Sequence, residues 1–203
     1  MRNFSHPLRY ETLLAFCQPN PAHHFAAPAL IDRHACACNG FVALQAHSGL
    51  WASDDFPEPP AGFVESWQRI PLEHFPAAGA WHPLDAYRGR IYARAPIEPF
   101  TRTYRPANSP AVRVGTVNVL LSMLQLVARL PRCEFTLAQT ASPTDALFFR
   151  CSGALGLIAG SSRDIAPAFT IDPVARHHDG TPRAVSTMGA LPLPNWPPAE
   201  PVD

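Results

Sequence analysis

Lysine is missing from these 203 residues: all sixteen basic side chains are arginines. Arginine offers a planar fork for phosphate and carboxylate, yet heavy alanine and proline use beside it points to coding base composition as its origin. Net charge is missing too, because sixteen acidic residues balance the arginines. That excludes the overall footprint of a general nucleic-acid or membrane-surface binder and leaves only local patches. No apolar run is long enough to span a bilayer; the longest, Val117 to Leu130, is interrupted by Ser122, Gln125 and Arg129. The opening Met1-Arg-Asn-Phe-Ser-His-Pro lacks the apolar segment of a signal peptide. With five cysteines, an odd number, the expectation is a cytoplasmic chain whose thiols stay reduced.

Catalytic signatures are equally scarce. Cys17, Cys133 and Cys151 sit on or beside apolar faces, and no G-x-S-x-G elbow supplies an activated serine. Gly153-Ala-Leu-Gly156 and Ser48-Gly49 form no phosphate-cradling loop. Asp54, Asp55 and Glu58 lie among prolines and read as a solvated loop. His23-His24 and His177-His178 are adjacent pairs in loops, where neighbours point apart, so neither is arranged to chelate. The chain is therefore expected not to be an enzyme and to need no cofactor.

Prolines are abundant instead. Twenty-four of them predict many short elements and extended connections. Within that frame one pattern occurs twice, a helix followed by two strands. His6 to Cys17 has an apolar helical face in Leu8, Leu13, Leu14, Phe16 and Cys17, stopped by Pro19 and Pro21. Ala29 to Cys38 and Phe41 to His47 follow as strands about Asn39-Gly40, a dipeptide suited to the two positive φ angles of a type I′ turn. Thr116 to Leu130 predicts a second helix, apolar but for the stripe Asn118, Ser122, Gln125 and Arg129. Cys133 to Thr140 alternates like a strand, and Ala146 to Cys151 with Leu155 to Ala159 forms a strand pair about Ser152-Gly153. Between the copies, short strands are expected near Glu65 to Ile70 and Arg90 to Ala95, with an extended crossover from Pro96 to Pro110. After Asp164 the pattern dissolves into a proline-rich tail that carries Trp196.

The segments LRYETLLAFCQPNPAHHFAAPALIDRHACACNGFVALQAH and VNVLLSMLQLVARLPRCEFTLAQTASPTDALFFRCSGALGLIAG resemble the opening and closing helix-and-strand segments of bacterial DNA polymerase sliding-clamp domains. The match is one of element order and apolar pattern. A clamp chain carries three such domains and this chain has length for one. The family's Met-Pro-Met-Arg-like ending is replaced by Ile158-Ala159-Gly160-Ser161-Ser162. The resemblance implies an α+β domain over residues 1–163, built of halves 6–51 and 116–160 around a proline-rich crossover 52–115; the proline-rich composition of 164–203 separately predicts an extended or disordered arm.

Three site readings follow. Arg88, Arg90, Arg94, Arg102, Arg105 and Arg113, interrupted by the single acid Glu98, make a local basic stretch. Tyr92 and Tyr104, with Tyr87, could stack on bases there, and Arg88, Arg90 and Arg94 would share one face of a strand. The leading function is a non-enzymatic module of DNA metabolism acting through this stretch and through protein contacts. The alternative is an interaction or inhibitor protein of a phage or mobile element that binds a protein without DNA, using Trp51, Trp67, Trp81 and Trp196 and the proline arm. Either reading expects a protein partner and no membrane, and is compatible with self-association. A third class, a small metal-dependent or thiol enzyme, rests on His34, Cys36 and Cys38, which share a strand face that His47 would join, with Cys38 opposite Phe41 and Asp32 opposite His47. Same-face positions stand about 7 Å apart, which strains joint ligation, so the same residues read as packed core and no metal is assigned.

Overall fold

The first element is one helical turn, α1 (Tyr10–Leu14). So short a helix gains little from its own hydrogen bonds; burial of Leu8, Leu13 and Phe16 holds it. The computed structural model describes residues 8–47, 56–76, 80–92, 109–136, 146–161 and 167–172. Pro96 to Ala107, Asp54-Asp55, His177-His178 and residues 173–203 of the expected arm lie outside the described residues.

Three strands follow: β1 (Ala29–Ile31), β2 (His34–Cys38) and β3 (Val42–His47). The expected single strand from Ala29 to Cys38 is broken in its middle. Asp32 and Arg33 take φ of 46° and 63°, and Ile31 pairs with His34. Two central residues at positive φ are the requirement of a type I′ turn, so that turn occurs one hairpin earlier than Asn39-Gly40. The second hairpin does form at Asn39-Gly40, but Gly40 and Phe41 are its central residues, with Gly40 alone at positive φ (89°), the pattern of a type II′ turn.

Asn39 flanks that turn instead of occupying it. Its Oδ1 accepts from the amides of Phe41 and Val42, both at 3.0 Å, and its amide nitrogen reaches Met123 Sδ at 3.5 Å. Gln18 donates to its carbonyl. The pairing is therefore Cys38 with Ala43 and His34 with His47, where Phe41 and Asp32 were expected. A slip of two positions leaves every side chain on its original face, which is why the face assignment survives.

α2 (Phe63–Trp67) stands where a strand was expected from Glu65. Gly62 turns the chain in with φ 80°, and Phe63 and Trp67, one helical turn apart, are buried together. A 3₁₀ turn at Leu72–His74, β4 (Trp81–Pro83) and a second 3₁₀ turn at Leu84–Tyr87 lead into α3 (Arg88–Tyr92). The strand expected from Arg90 is thus helical in its described part. Burial of Leu84 and Ile91 on one side of this coil decides the outcome.

The helix expected over Thr116–Leu130 divides. Gly115, at φ 58°, turns β5 (Ala111–Val114) into β6 (Val117–Leu120), and only then does α4 (Leu121–Val127) begin. The β-branched Val117 and Val119 suit the strand, and Val119 pairs with Val112. β7 (Glu134–Thr136), β8 (Ala146–Cys151) and β9 (Ala154–Ala159) follow, the last two joined at Ser152-Gly153 as the sequence implies. β10 (Thr170–Ile171) pairs in parallel with β5 and buries Ile171, so this part of the expected arm belongs to a sheet.

The fold is α+β. A seven-stranded antiparallel sheet runs in the order β1-β2-β3-β9-β8-β7-β4, beside a three-stranded sheet β10-β5-β6. Both faces of the large sheet are covered. Ala35, Ala37, Leu44, Phe135, Phe149 and Ile158 face a main core that also holds Leu13 of α1 and Leu124 of α4. Cys36, Cys38, Ala43, Phe148 and Leu157 face a second core made with Phe25, Phe63 and Trp67.

Candidate nucleic-acid interface

α3 lies beside α4 and takes up the hydrogen-bonding groups of Gln125. Gln125 Nε2 donates to the Ile91 carbonyl at 2.9 Å, and the Tyr92 hydroxyl donates to the Gln125 carbonyl at 3.1 Å. Ser122 is held at Ser109, amide to hydroxyl at 3.1 Å and hydroxyl to hydroxyl at 2.8 Å. Asn118, expected on the same helical stripe, is on β6 and accepts from Arg113 Nε at 3.2 Å. The stripe is a half-buried internal seam, with Ser122 and Gln125 spent inside the chain.

The basic stretch divides accordingly. Arg88 and Arg90, two apart on a helix, project about 200° apart around its axis, so the shared strand face does not exist. Arg88 Nε lies 2.8 Å from Asp85 Oδ1, an ion pair off the angle of a hydrogen bond, while its Nη2 donates to the Leu130 carbonyl at 3.4 Å. Its guanidinium thus helps cap the chain leaving α4. Arg90 is exposed, as is Arg113 on β5. Tyr92 is half-buried, and Tyr87 packs edge-on against Phe135 with ring centres 5.9 Å apart. Arg94, Arg102, Tyr104 and Arg105 lie outside the described residues.

Two of the four tryptophans can be placed. Trp67 is buried in the second core and stacks on Phe63. Trp81 is half-buried, with Phe75 stacked at 5.4 Å and the Arg150 guanidinium 4.4 Å from its ring centre. Trp51 and Trp196 lie outside the described residues. Arg150 and Glu134 were not singled out in the sequence. They oppose each other across β7 and β8 and form an ion pair at 2.8 Å, with side chains only 18% and 13% exposed. Their signal is a register match, which becomes visible only once the strands are paired.

Cys36 and Cys38 share a face as expected, and that face is interior. Cys36 Sγ donates to the His34 carbonyl at 3.5 Å, and the Gly40 amide donates to Cys38 Sγ at 3.2 Å. Burial pushes the Cys38 thiol up to about 11 and Cys36 higher still, so both are neutral thiols among aromatic rings. Among the described residues no group of three or more His, Cys, Asp or Glu side chains is placed to hold a metal ion. The His23 and His24 rings lie 4.1 Å apart, tilted by 31°, beside Phe25, and burial, then the neighbouring His24, lowers the His23 pKa. No protein-family model, curated protein or solved structure matches this chain.

Proposed function

We propose that this chain is a non-enzymatic, clamp-like binding module of DNA metabolism, acting through the Arg88–Arg113 stretch and through protein contacts. The observation that carries the reading is the order of the elements. Among the described residues, a helix followed by three strands occurs as α1-β1-β2-β3 and again as α4-β7-β8-β9. The sheet order β1-β2-β3-β9-β8-β7 reads alike from either end, with the two last strands meeting at the centre. α1 and α4 lie on the same core. Such an arrangement fits two copies of one unit related by an approximate two-fold axis, as the resemblance to clamp domains implies.

One observation favours the second reading, a protein-binding module that does not engage DNA. The α4 stripe is closed by α3, and of the described cations of the stretch Arg88 is tied to Asp85 and Leu130 while Arg90 and Arg113 are exposed. Fluorescence anisotropy with a labelled duplex separates the two. The DNA reading expects affinity to fall by about 10³-fold or more between 50 and 200 mM salt if six phosphates are contacted. It also expects a large loss in an Arg90→Ala/Arg94→Ala/Arg105→Ala variant. Absence of binding at low salt, with nuclease-resistant co-purification of one protein, would replace the first reading by the second.

A further inference from the structure

We infer that Cys133 and Cys151 are a redox-active pair that closes into a cross-strand disulfide when the protein meets a peroxide. The inference does not depend on what the module binds. β7 and β8 pair Glu134 with Arg150, Phe135 with Phe149 and Thr136 with Phe148. One further step along that register sets Cys133 against Cys151. The faces agree: Phe135 and Phe149, two positions inward, both point into the main core, where Cys133 is buried and against which Cys151 packs. The Glu134–Arg150 pair belongs to the opposite face. Directly opposed residues of antiparallel strands have Cα atoms about 4.5–5.5 Å apart, inside the roughly 4.4–6.8 Å that a disulfide bridges.

None of the five cysteines is in a disulfide, and the geometry selects among them. Cys36 and Cys38 are two apart on one strand, about 6.6–7 Å between Cα atoms with parallel side chains, at or beyond the limit for bonding. Cys17 donates its thiol to the Leu13 carbonyl four residues back. Cys151 is partly buried while Cys133 is fully buried, so the oxidant meets Cys151 first. The Cys151 thiolate attacks a peroxide oxygen, the O–O bond breaks, and a sulfenic acid and one water result. Cys133 sulfur then attacks Cys151 sulfur, the S–O bond breaks, and a second water leaves. Two thiols lose two electrons and two protons, and hydrogen peroxide takes them up. A dithiol reductant reverses the step.

The environment sets the rate. Burial pushes Cys151 up to about 12, against a hydrogen bond to the Ala154 backbone that lowers it. Cys133 is pushed well above the ordinary thiol value by burial, then by Cys151, Asp85 and Glu134, with Arg88 opposing. Closure at neutral pH is therefore slow and speeds up as pH rises.

The test treats the reduced full-length protein with hydrogen peroxide. Arg132 and Arg150 immediately precede the two cysteines, so trypsin places each at the start of its own peptide, 133–150 and 151–163. Expected are a mass loss of about 2 Da, loss of two thiols, a linked 133–150/151–163 peptide, and reversal by dithiothreitol. A bridge closing a loop of this size should raise the melting temperature by about 6–12 °C. Cys133→Ser and, at the more exposed position, Cys151→Ala should each abolish the linked peptide. Oxidation of folded protein that yields no such peptide overturns the inference. So does thiol loss spread over Cys17, Cys36 and Cys38, or over-oxidation at Cys151 without a cross-link.

Discussion

Replacing Gly156 by alanine tests how tightly the two halves of the large sheet are joined. Gly156 lies mid-strand on β9, opposite Leu44 on one side and Phe149 on the other. A methyl group there would overlap the Ala43 carbonyl oxygen and the Phe149 ring, and even Phe149 Cε1 would be only 2.9 Å away. Phe149 is fully buried, so its ring has nowhere to swing, and the carbonyl belongs to a paired backbone. Overpacking of this kind costs about 1–3 kcal/mol. Parting β3 from β9 enough to admit the methyl adds about 1 kcal/mol per weakened ladder bond. Reduced freedom of the unfolded chain returns about 0.4–1 kcal/mol. The net loss is about 2–3 kcal/mol, a large share of the roughly 5–15 kcal/mol that holds a domain folded. Urea unfolding followed by tryptophan fluorescence should show the midpoint falling by about 1 M with an unchanged slope. Adding Phe149→Leu should recover part of the loss, because the shorter side chain removes the ring contact and leaves the carbonyl one. A Gly156→Ala midpoint indistinguishable from the parent, or strictly additive effects in the double variant, would refute the packing argument.

Three further outcomes are expected. Arg33→Gly should stabilise the protein by about 0.5–1 kcal/mol, because glycine relieves the left-handed backbone and makes Asp-Gly of a type I′ turn; an unchanged urea midpoint would remove the strain argument. Asn39→Ala should cost about 2–3 kcal/mol by leaving the Phe41 and Val42 amides without their acceptor, and hydrogen exchange at Val42 should speed up more than at Phe148. The third concerns alkali: the folded Cys38 thiol titrates near 11, above the ordinary 9.0, and Cys36 higher still. Both therefore keep their protons when folded at a pH where the unfolded chain loses them. That stability is complete below about pH 9 and is lost as pH rises toward and through 11. Urea midpoints across this window should fall less steeply in Cys38→Ala than in the parent.

What the sequence made legible was local. The glycines at 40 and 153 mark the two expected hairpins, since each sits at positive φ next to a strand pair. The faces of β2 and β3 followed from alternation and survived a slipped register. Hidden were the features that depend on what lies beside a segment. Val117–Leu120 reads as the start of an apolar helix, and only pairing with β5 makes it a strand. The Gly115-Thr116 turn between two valine-rich runs was the available signal. Arg90 and Glu65 read as extended because their helices are single turns, fixed by Ile91, Phe63 and Trp67 in the cores. The α4 stripe looked like a surface because nothing in its spacing announces that Gln125 and Tyr92 are partners.

The junction of β3 with β9 bears on the order of assembly. Val42 and Ile158 are paired although 116 positions separate them along the chain, whereas β1, β2 and β3 follow one another through two-residue turns. Loop closure over such a span precedes any reward from the contact. The expected order is that each strand group condenses first and the central zip closes after the rate-limiting barrier. Kinetically, substitutions at Leu44 or Gly156 would hasten unfolding while leaving the refolding rate nearly untouched.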